Sequence, residues 1–250
     1  MRVVILGSGT AVPVKDRGYA GIYVRVGREH VLLDAGPGTL KQLARLGVTY
    51  LDLDRIFLTH FHLDHYLDLA SILFAYRLPQ LKRRKPLTVY GPPGLRQLYQ
   101  RLNVAFNHWL TPRGFRLHLR ELQHGRLRLP GYTVQTQPMR HYDTGALGYR
   151  LTAGTKTLAY SGDTDVCHGI VELGRGADLL ILECSVPDER KVAGHLTPSE
   201  CGGIAAQADC RHLLLTHFYP VFGGYDIRRR VRRSFTGRLT LSQDFTTIAL

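Results

Sequence analysis

A His-x-His-x-Asp-His cluster that begins at His60 constrains the fold and chemistry of this chain more than any other feature of its sequence. The cluster directly follows residues 55–59, an apolar run that predicts a β-strand. Imidazole and carboxylate groups are natural ligands of zinc and similar metals. His60 and His62 can point the same way from an extended loop, whereas Asp64 and His65 can turn towards a second position. The spacing therefore predicts a metal site at the end of a strand.

Further candidate ligands stand where other predicted strands end. They are His141, Asp163 and His217. Each of the three is a weak signal alone, because a Gly-Asp turn is usually only a turn and a single histidine usually lies at the surface. One metal ion needs about four ligands, and a catalytic ion keeps one position open. Together with the cluster, these residues complete a set of side chains sufficient for two metal ions.

Strands outnumber helices in the predicted secondary structure, and some of them form antiparallel groups. The predicted strands cover residues 2–6, 22–26, 31–34, 55–59, 87–90, 115–119, 132–137, 147–152, 157–161, 179–183, 212–216 and 246–250. The predicted helices cover residues 39–46, 68–76, 94–106, 197–208 and 226–235. Both halves of the chain begin with meandering strands and continue with strand–helix alternation, which predicts two packed sheets with helices outside. The length of 250 residues fits a single domain, residues 1–250.

These residues, in this order, resemble the metallo-β-lactamase superfamily and, within it, the ribonuclease Z and phosphodiesterase branch. The similarity covers almost the whole chain. It is carried by the cluster at His60, by His141, Asp163 and His217, and by residues 6–13, 33–39, 161–164 and 195–197. The resemblance implies an α/β (α+β) fold, the four-layer αβ/βα metallo-β-lactamase sandwich, with a dinuclear metal site at one edge of the sheets.

The same resemblance implies a role for each candidate ligand. It implies two divalent metal ions, with Zn²⁺ as the first expectation and Mn²⁺ as the alternative. The first ion would be bound by His60, His62 and His141, the second by Asp64, His65 and His217, and Asp163 would bridge them. Asp34 matches an aspartate that orients ligand histidines, and Asp64 counts among the catalytic residues. A hydroxide bridging the ions would leave the cluster positively charged, which suits attack on an anionic phosphodiester.

Glu183 and His195 match the glutamate and histidine that ribonuclease Z-like enzymes use at the leaving group. Cleavage of a phosphodiester leaves an alkoxide, which benefits from a positioned acid. We therefore expect the carboxylate of Glu183 to hold a protonated His195 that donates to the leaving oxygen. The alternatives are a Glu183 that pairs with an arginine and a His195 that is only a loop residue before a helix cap.

The charge of the chain favours an anionic substrate. The sequence contains 33 Lys and Arg against 20 Asp and Glu, a formal net charge of +13. Such a charge attracts polyanions, of which nucleic acid is the commonest. Basic residues are concentrated at 82–85 and 228–233. In the second run Arg228, Arg229 and Arg232 are candidates for contacts with substrate phosphates, and a solvated helix face is the alternative.

The family pattern is broken at one place. Ribonuclease Z proteins usually carry a protruding arm, the exosite that grips tRNA, between the counterparts of His141 and Asp163. Here that interval has room only for a turn and two strands, so we expect the arm to be missing. The substrate is therefore left open between RNA, DNA and a small cyclic phosphate.

Two further functional classes remain as alternatives. The first is a thioesterase of the same superfamily, against which the short segment after His217 argues. The second is a nucleic-acid-binding protein that has lost catalysis, against which the complete set of ligands argues.

The sequence also predicts the cellular setting. It contains no run of about 18 apolar residues, and its first residues lack the apolar core of a signal peptide. We therefore expect a cytoplasmic protein that does not enter a membrane. The family resemblance implies a homodimer.

Overall fold

A computed structural model describes residues 1–78 and 83–250 of the chain. In this part of the chain the strands form two mixed sheets. The first sheet contains β1 (Arg2–Gly7), β2 (Gly21–Val26), β3 (Glu29–Leu33), β4 (Leu53–Phe57), β5 (Leu87–Gly91), β6 (Leu117–Glu121) and β14 (Thr247–Ala249). The second sheet contains β7 (Gly125–Leu129), β8 (Tyr132–Pro138), β9 (Leu147–Ala153), β10 (Lys156–Tyr160), β11 (Leu179–Glu183), β12 (His212–Thr216) and β13 (Arg238–Leu241).

Both sheets follow the same plan. The strand order is β14-β1-β2-β3-β4-β5-β6 in the first sheet and β13-β12-β11-β10-β9-β8-β7 in the second. Strands β1 to β3 and β7 to β10 pair antiparallel with their neighbours in sequence. Strands β3 to β6 and β10 to β13 pair parallel. Parallel neighbours need crossover connections, which explains why the helices are concentrated in these later segments of each half.

The helices cover the outer faces of the two sheets. They are α1 (Thr39–Arg45), α2 (Leu63–Tyr66), α3 (Asp68–Ala75), α4 (Leu95–Ala105), α5 (His168–Gly174), α6 (Pro198–Gln207) and α7 (Ile227–Val231). Leu43 of α1 is buried against the first sheet, and Ile204 of α6 is buried against the second. Between the sheets, the rings of Phe57 and Tyr149 lie 5.3 Å apart in a shared apolar core. The predicted four-layer sandwich is therefore confirmed.

The predicted elements differ from the structure mainly at short or exposed segments. Strands β7 and β13 and helices α2 and α5 were not predicted. Strand β7 is mostly exposed and alternates arginine with leucine at a sheet edge, and β13 is only 4 residues long. The helix predicted over 226–235 ends at Val231, because the Arg232 guanidinium donates to the carbonyls of Phe235 and Gly237 where the chain turns.

In the basic run at 82–85, Arg83 has a structural role. Lys82 lies outside the described residues. Arg83 is buried and donates from Nη2 to the carbonyl oxygens of Leu53 (2.6 Å) and Pro86 (2.8 Å). Its guanidinium also stacks over the ring of Tyr76. Arg83 therefore joins segments of the first half of the chain and is not free to bind a ligand.

The carboxyl ends of parallel strands meet at one edge of each sheet, and the predicted site residues follow these ends. Asp34 follows β3, the motif that begins at His60 follows β4, and Asp163, Glu183 and His217 stand at the ends of β10, β11 and β12. Open α/β sheets place their ligands at such an edge. No helix within residues 1–78 and 83–250 has the length and apolar character needed to span a bilayer.

Candidate metal centre

The motif after β4 presents its side chains in two directions. His62 has an extended backbone (φ −74°, ψ 144°) and is the N-cap residue of α2. His60 and His62 therefore belong to the extended segment, whereas Asp64 and His65 lie in the helix. Asp64 and His65 are buried, but His62 is exposed. The local change from extended chain to helix separates the motif into two pairs.

The first candidate cluster contains three histidines and one aspartate. It consists of His60, His62, His141 and Asp163, with one ligand atom of each within 4.8 Å of the others. Nε2 of His141 lies 3.0 Å from Nδ1 of His62. Nε2 of His60 is buried without a hydrogen-bond partner among the described residues. A buried polar atom without a partner is costly, so this arrangement fits a metal ion.

The second candidate cluster consists of Asp64, His65 and His217, all of them buried. The Nε2 atoms of His65 and His217 lie 3.2 Å apart, and Oδ2 of Asp64 lies 3.5 Å from Nε2 of His217. His217 has a left-handed backbone with φ of 60°. Such a conformation is strained in a residue other than glycine and is concentrated at functional sites.

The carboxylate of Asp163 stands between the two clusters. Its Oδ2 lies 3.8 Å from Nε2 of His141 and 4.0 Å from Nε2 of His60. Its Oδ1 lies 3.3 Å from Nε2 of His65 and 3.5 Å from Nε2 of His217. Each carboxylate oxygen thus faces one cluster, which is the arrangement expected of a ligand shared by two ions.

Four of the histidines turn Nε2 inwards because the protein occupies their Nδ1 atoms. The Nδ1 contacts are His60 with Oγ1 of Thr59 (3.0 Å), His65 with Oδ2 of Asp34 (2.8 Å), His141 with the carbonyl of Gly194 (2.7 Å) and His217 with Oγ of Ser185 (3.0 Å). A partner on one ring nitrogen fixes the tautomer and orientation of a ligating imidazole. The donor set, with nitrogen and carboxylate oxygen, fits zinc and related divalent ions.

Asp34 lies behind the second cluster and is fully buried. Its Oδ1 accepts a hydrogen bond from the backbone N–H of Thr59 at 2.8 Å. Its Oδ2 accepts from Nδ1 of His65 at 2.8 Å and from the hydroxyl of Tyr160 at 2.9 Å. Asp34 therefore holds the residues around the ligands, while its own oxygens are already engaged.

Burial and charge set the protonation of the histidines. Burial lowers the pKa of His60 well below its ordinary value, and the charge of His65 acts in the same direction. Burial also lowers the pKa of His62 and of His141. These three imidazoles are therefore neutral near pH 7, which is the form that binds metals. Burial alone would lower the pKa of His65, but the adjacent carboxylates of Asp163 and Asp34 raise it well above its ordinary value.

His195 and Glu183 form a hydrogen-bonded pair beside the clusters. Nδ1 of His195 donates to Oε1 of Glu183 at 2.9 Å, and the hydroxyl of Ser185 donates to Oε2 at 2.5 Å. Burial alone lowers the pKa of His195, but the hydrogen bond and charge of Glu183 raise it above its ordinary value overall. Because Nδ1 is engaged by Glu183, Nε2 is the atom that can face a substrate.

The loop that carries His195 is fixed at both ends. Thr197 and Glu200 form a capping box at the start of α6, in which the Glu200 carboxylate accepts from the Thr197 N–H at 2.9 Å. Nζ of Lys191 donates to the carbonyl of His195 at 2.5 Å and to Asp165 at 2.8 Å. His195 is therefore held by its backbone as well as by Glu183.

Sequence reasoning missed the residues that hold the candidate ligands in place. They are Thr59, Tyr160, Ser185 and Gly194. Ser185 connects the two parts of the site, since its hydroxyl lies between Glu183 and Nδ1 of His217. Their only signal in the sequence was proximity, because each lies within a few residues of a predicted site residue.

The candidate phosphate-binding arginines lie on and beside α7, which packs against α6 outside the second sheet. Arg228 and Arg229 are exposed to solvent. Nη1 of Arg232 donates to the carbonyls of Phe235 (3.2 Å) and Gly237 (2.5 Å). A contact between these arginines and a substrate phosphate stays a prediction.

Comparison with known proteins agrees with the fold. Residues 29–218 match the family model of the β-lactamase superfamily domain. A ribonuclease Z from Nocardia farcinica is 30% identical over 99% of this chain and 97% of its own length. The structure of the metallo-β-lactamase fold protein YhfI from Bacillus subtilis has a TM-score of 0.84 and 25% identity, covering 99% of this chain and 98% of that one. The structure of human tRNase Z, short form, has a TM-score of 0.82 and 27% identity, and the match covers 100% of this chain and 99% of that one.

The comparison also shows that this chain is shorter than its relative. Its alignment with the Nocardia relative extends over 304 residues, although this chain has only 250. The interval from His141 to Asp163, all of it described, holds β9, β10 and short turns, with no protruding arm. The match over most of the chain, the shared fold and the curated relatives establish that this chain belongs to the metallo-β-lactamase superfamily of metal-dependent hydrolases, in its ribonuclease Z branch.

Proposed function

We propose that this protein is a phosphodiesterase with two divalent metal ions, most simply Zn²⁺, and that it cleaves RNA. The first ion is assigned to His60, His62 and His141, the second to Asp64, His65 and His217, and Asp163 is shared. The observation that carries the proposal is the position of Asp163, whose two oxygens face the two clusters at 3.3–4.0 Å. The predominance of imidazole ligands favours zinc over manganese.

The residues of the chain divide the chemistry between them. Divalent ions held here would act as Lewis acids on the phosphoryl group and supply a water-derived nucleophile near neutral pH. His195 faces the leaving oxygen with Nε2 and donates a proton to it. Glu183 raises the pKa of His195, so the imidazole keeps that proton to a higher pH than a free histidine would. Asp34 holds His65 in the orientation that ligation needs.

RNA is the first substrate proposed because the relatives are ribonucleases and the chain carries a net charge of +13. The second candidate is a small cyclic phosphodiester. It is favoured by the missing arm between His141 and Asp163, since a small substrate needs no grip outside the site. We expect the protein to act in the cytoplasm and to form a homodimer. Light scattering of the purified protein tests the homodimer directly.

A substrate panel tests the proposed function. The purified protein, with its metal content measured, is assayed on single-stranded RNA, a 3′-extended tRNA, a cyclic nucleotide, a bis-aryl phosphodiester and a thioester. We expect cleavage of single-stranded RNA and of the bis-aryl ester, and little preference for the 3′-extended tRNA. Hydrolysis of the thioester alone would overturn the assignment. Cleavage of the cyclic nucleotide without cleavage of RNA would favour the second candidate.

The Asp34→Asn substitution tests whether the partner of a ligand controls metal binding. An amide cannot accept from both Thr59 and His65 in the way the carboxylate does, so we expect metal affinity to fall by about 10- to 100-fold. Competition with a chromophoric chelator measures the affinity. Asp209→Asn makes the same chemical change at an exposed position and serves as the control. An unchanged affinity in Asp34→Asn would show that His65 needs no such support.

The Glu183→Gln substitution tests how the proton donor is tuned. Removing the carboxylate removes the interaction that raises the pKa of His195, so the acidic form is lost at lower pH. The high-pH limb of kcat should therefore move to lower pH by about one unit or more. The pH profile is measured on RNA, whose alkoxide leaving group needs the proton. Glu189→Gln changes an exposed glutamate and is the control, in which the high-pH limb should stay where it is in the wild-type protein. An unmoved high-pH limb in Glu183→Gln would contradict the role of Glu183.

A further inference from the structure

The interval between His141 and Asp163 holds no arm, so side chains beside the metal centre are candidates for holding a substrate. Two tyrosines border this centre, Tyr142 and Tyr219. We propose that their rings form an aromatic clamp for the base of the nucleoside that leaves when the phosphodiester is cleaved. The proposal rests on the proposed phosphodiesterase function and names the class of ligand as a nucleobase of any identity.

Tyr142 is exposed although it touches the centre. It directly follows His141, with ring centroids 4.8 Å apart, and its ring lies 6.4 Å from that of His62. The residue is 57% exposed. Its backbone is left-handed, with φ of 45°, a conformation that a tyrosine adopts at a cost. The chain therefore accepts strain to present an open aromatic face beside the ligands.

Gly194 leaves room for the ring of Tyr142. A Cβ at this position would lie 3.2 Å from Cε2 of Tyr142 and 3.3 Å from Nδ1 of His141. The backbone of Gly194 is itself left-handed, with φ of 83°. Because glycine has no Cβ, the ring of Tyr142 can lie close to the loop that carries His195 while its other face stays open to solvent.

Tyr219 stands on the other side of the centre. It follows His217, and its ring centroid lies 6.0 Å from that of His217 and 6.0 Å from that of His195. It is half-buried, and its backbone N–H donates to the carbonyl of Ser185 at 3.3 Å. Tyr219 is thus fixed to the second cluster, as Tyr142 is fixed to the first.

The rings of Tyr142 and Tyr219 both lie beside His195, the proposed proton donor. The centroid of Tyr142 lies 6.2 Å from that of His195, close to the distance for Tyr219, and both pairs are edge-to-face at 77°. The oxygen that receives the proton must reach His195, so the nucleoside attached to that oxygen lies beside the two tyrosines. Aromatic rings stack on bases without regard to their identity, and each contact typically changes binding by about tenfold or more.

The test compares dinucleotides that carry or lack a base. Three RNA dinucleotides are used: one with both bases, one abasic at the 5′ nucleoside and one abasic at the 3′ nucleoside. The ends of the products identify the leaving nucleoside. For the wild-type protein we expect kcat/KM to fall about tenfold or more when the leaving nucleoside is abasic, and to fall much less when the other one is. The ratio of kcat/KM with and without the leaving base is the quantity that the variants should change.

Tyr142→Leu and Tyr219→Leu should each move this ratio towards one, because leucine offers no aromatic face. Tyr142→Phe and Tyr219→Phe should keep the wild-type ratio. Trp109→Leu removes another exposed aromatic, one packed against Phe74 away from the centre, and is the control. A ratio unchanged in the leucine variants, or lost equally in the phenylalanine variants, would overturn the clamp alone. If the wild-type protein cleaves none of the dinucleotides but hydrolyses only the thioester, the proposed function and the clamp both fail.

Discussion

Asp163→Asn should lose both RNA cleavage and bound metal. An amide offers one neutral oxygen in place of a carboxylate with two charged ones, and Asp163 faces His141 at 3.8 Å with one oxygen and His65 at 3.3 Å with the other. Removing it takes a ligand from both clusters at once and leaves the histidines without their shared carboxylate. Because metal ions contribute several kcal/mol to such reactions, we expect kcat/KM to fall by about 10³-fold or more. Elemental analysis should find fewer ions per chain than in the wild-type protein.

The matched control for this prediction is Asp209→Asn. Asp209 is exposed and has a left-handed backbone (φ 49°), which asparagine tolerates well. This variant should keep its metal content and its activity. If Asp163→Asn retains the full wild-type metal content and cleaves RNA at the wild-type rate, Asp163 is not a shared ligand and the assignment of both clusters is wrong.

His195→Ala should lose turnover but keep its metal. A positioned general acid contributes about 10²- to 10⁴-fold, so kcat on RNA should fall within that range. Its Nδ1 donates to Glu183 at 2.9 Å and so is not free to bind a metal ion, although the residue lies close enough to Asp163 and His217 to form a third possible group of ligands. Metal content should therefore equal that of the wild-type protein. Loss of metal in this variant would mean that His195 is a ligand.

The leaving group gives a second readout for His195. A nitrophenolate leaves without a proton, whereas the alkoxide of RNA needs one. The loss in His195→Ala should therefore be much smaller on a bis(nitrophenyl) phosphodiester than on RNA. The control is His168→Ala, whose side chain is 85% exposed on α5. Equal losses on the two substrates would indicate a structural rather than a proton-donating role.

The sequence predicted most of the fold because its periodicity was clear where burial was strong. Strands β11 and β12 are fully buried and mainly apolar, and their predicted bounds agree with the structure. The capping box at Thr197 likewise marked the start of α6. The edge strands β7 and β13 escaped prediction, since an exposed or short strand carries little hydrophobic pattern. The helix after Asp226 was predicted too long, because its end is set by the contacts of Arg232 with carbonyls that follow it.

The candidate metal ligands could be picked out of the sequence because their residue types and their places after strands are both unusual. The residues that hold these candidate ligands in place could not be picked out in the same way. Thr59, Tyr160 and Ser185 are ordinary residue types, and their importance arises from contacts such as that of Tyr160 with Asp34, which are far apart in sequence. Gly194 is similar, since its need for a left-handed backbone and close packing on Tyr142 exists only in the folded chain.

Metal titration of the activity shows whether the protein needs two ions per chain to cleave RNA. The protein is stripped of metal with a chelator, and Zn²⁺ is returned in known equivalents while cleavage of a labelled single-stranded RNA is followed. We expect cleavage to be absent in the stripped protein and to rise to its maximum at two equivalents per chain. Maximal cleavage at one equivalent would contradict the shared role of Asp163, and no cleavage of RNA at any equivalent of Zn²⁺ or Mn²⁺ would contradict the proposed function itself.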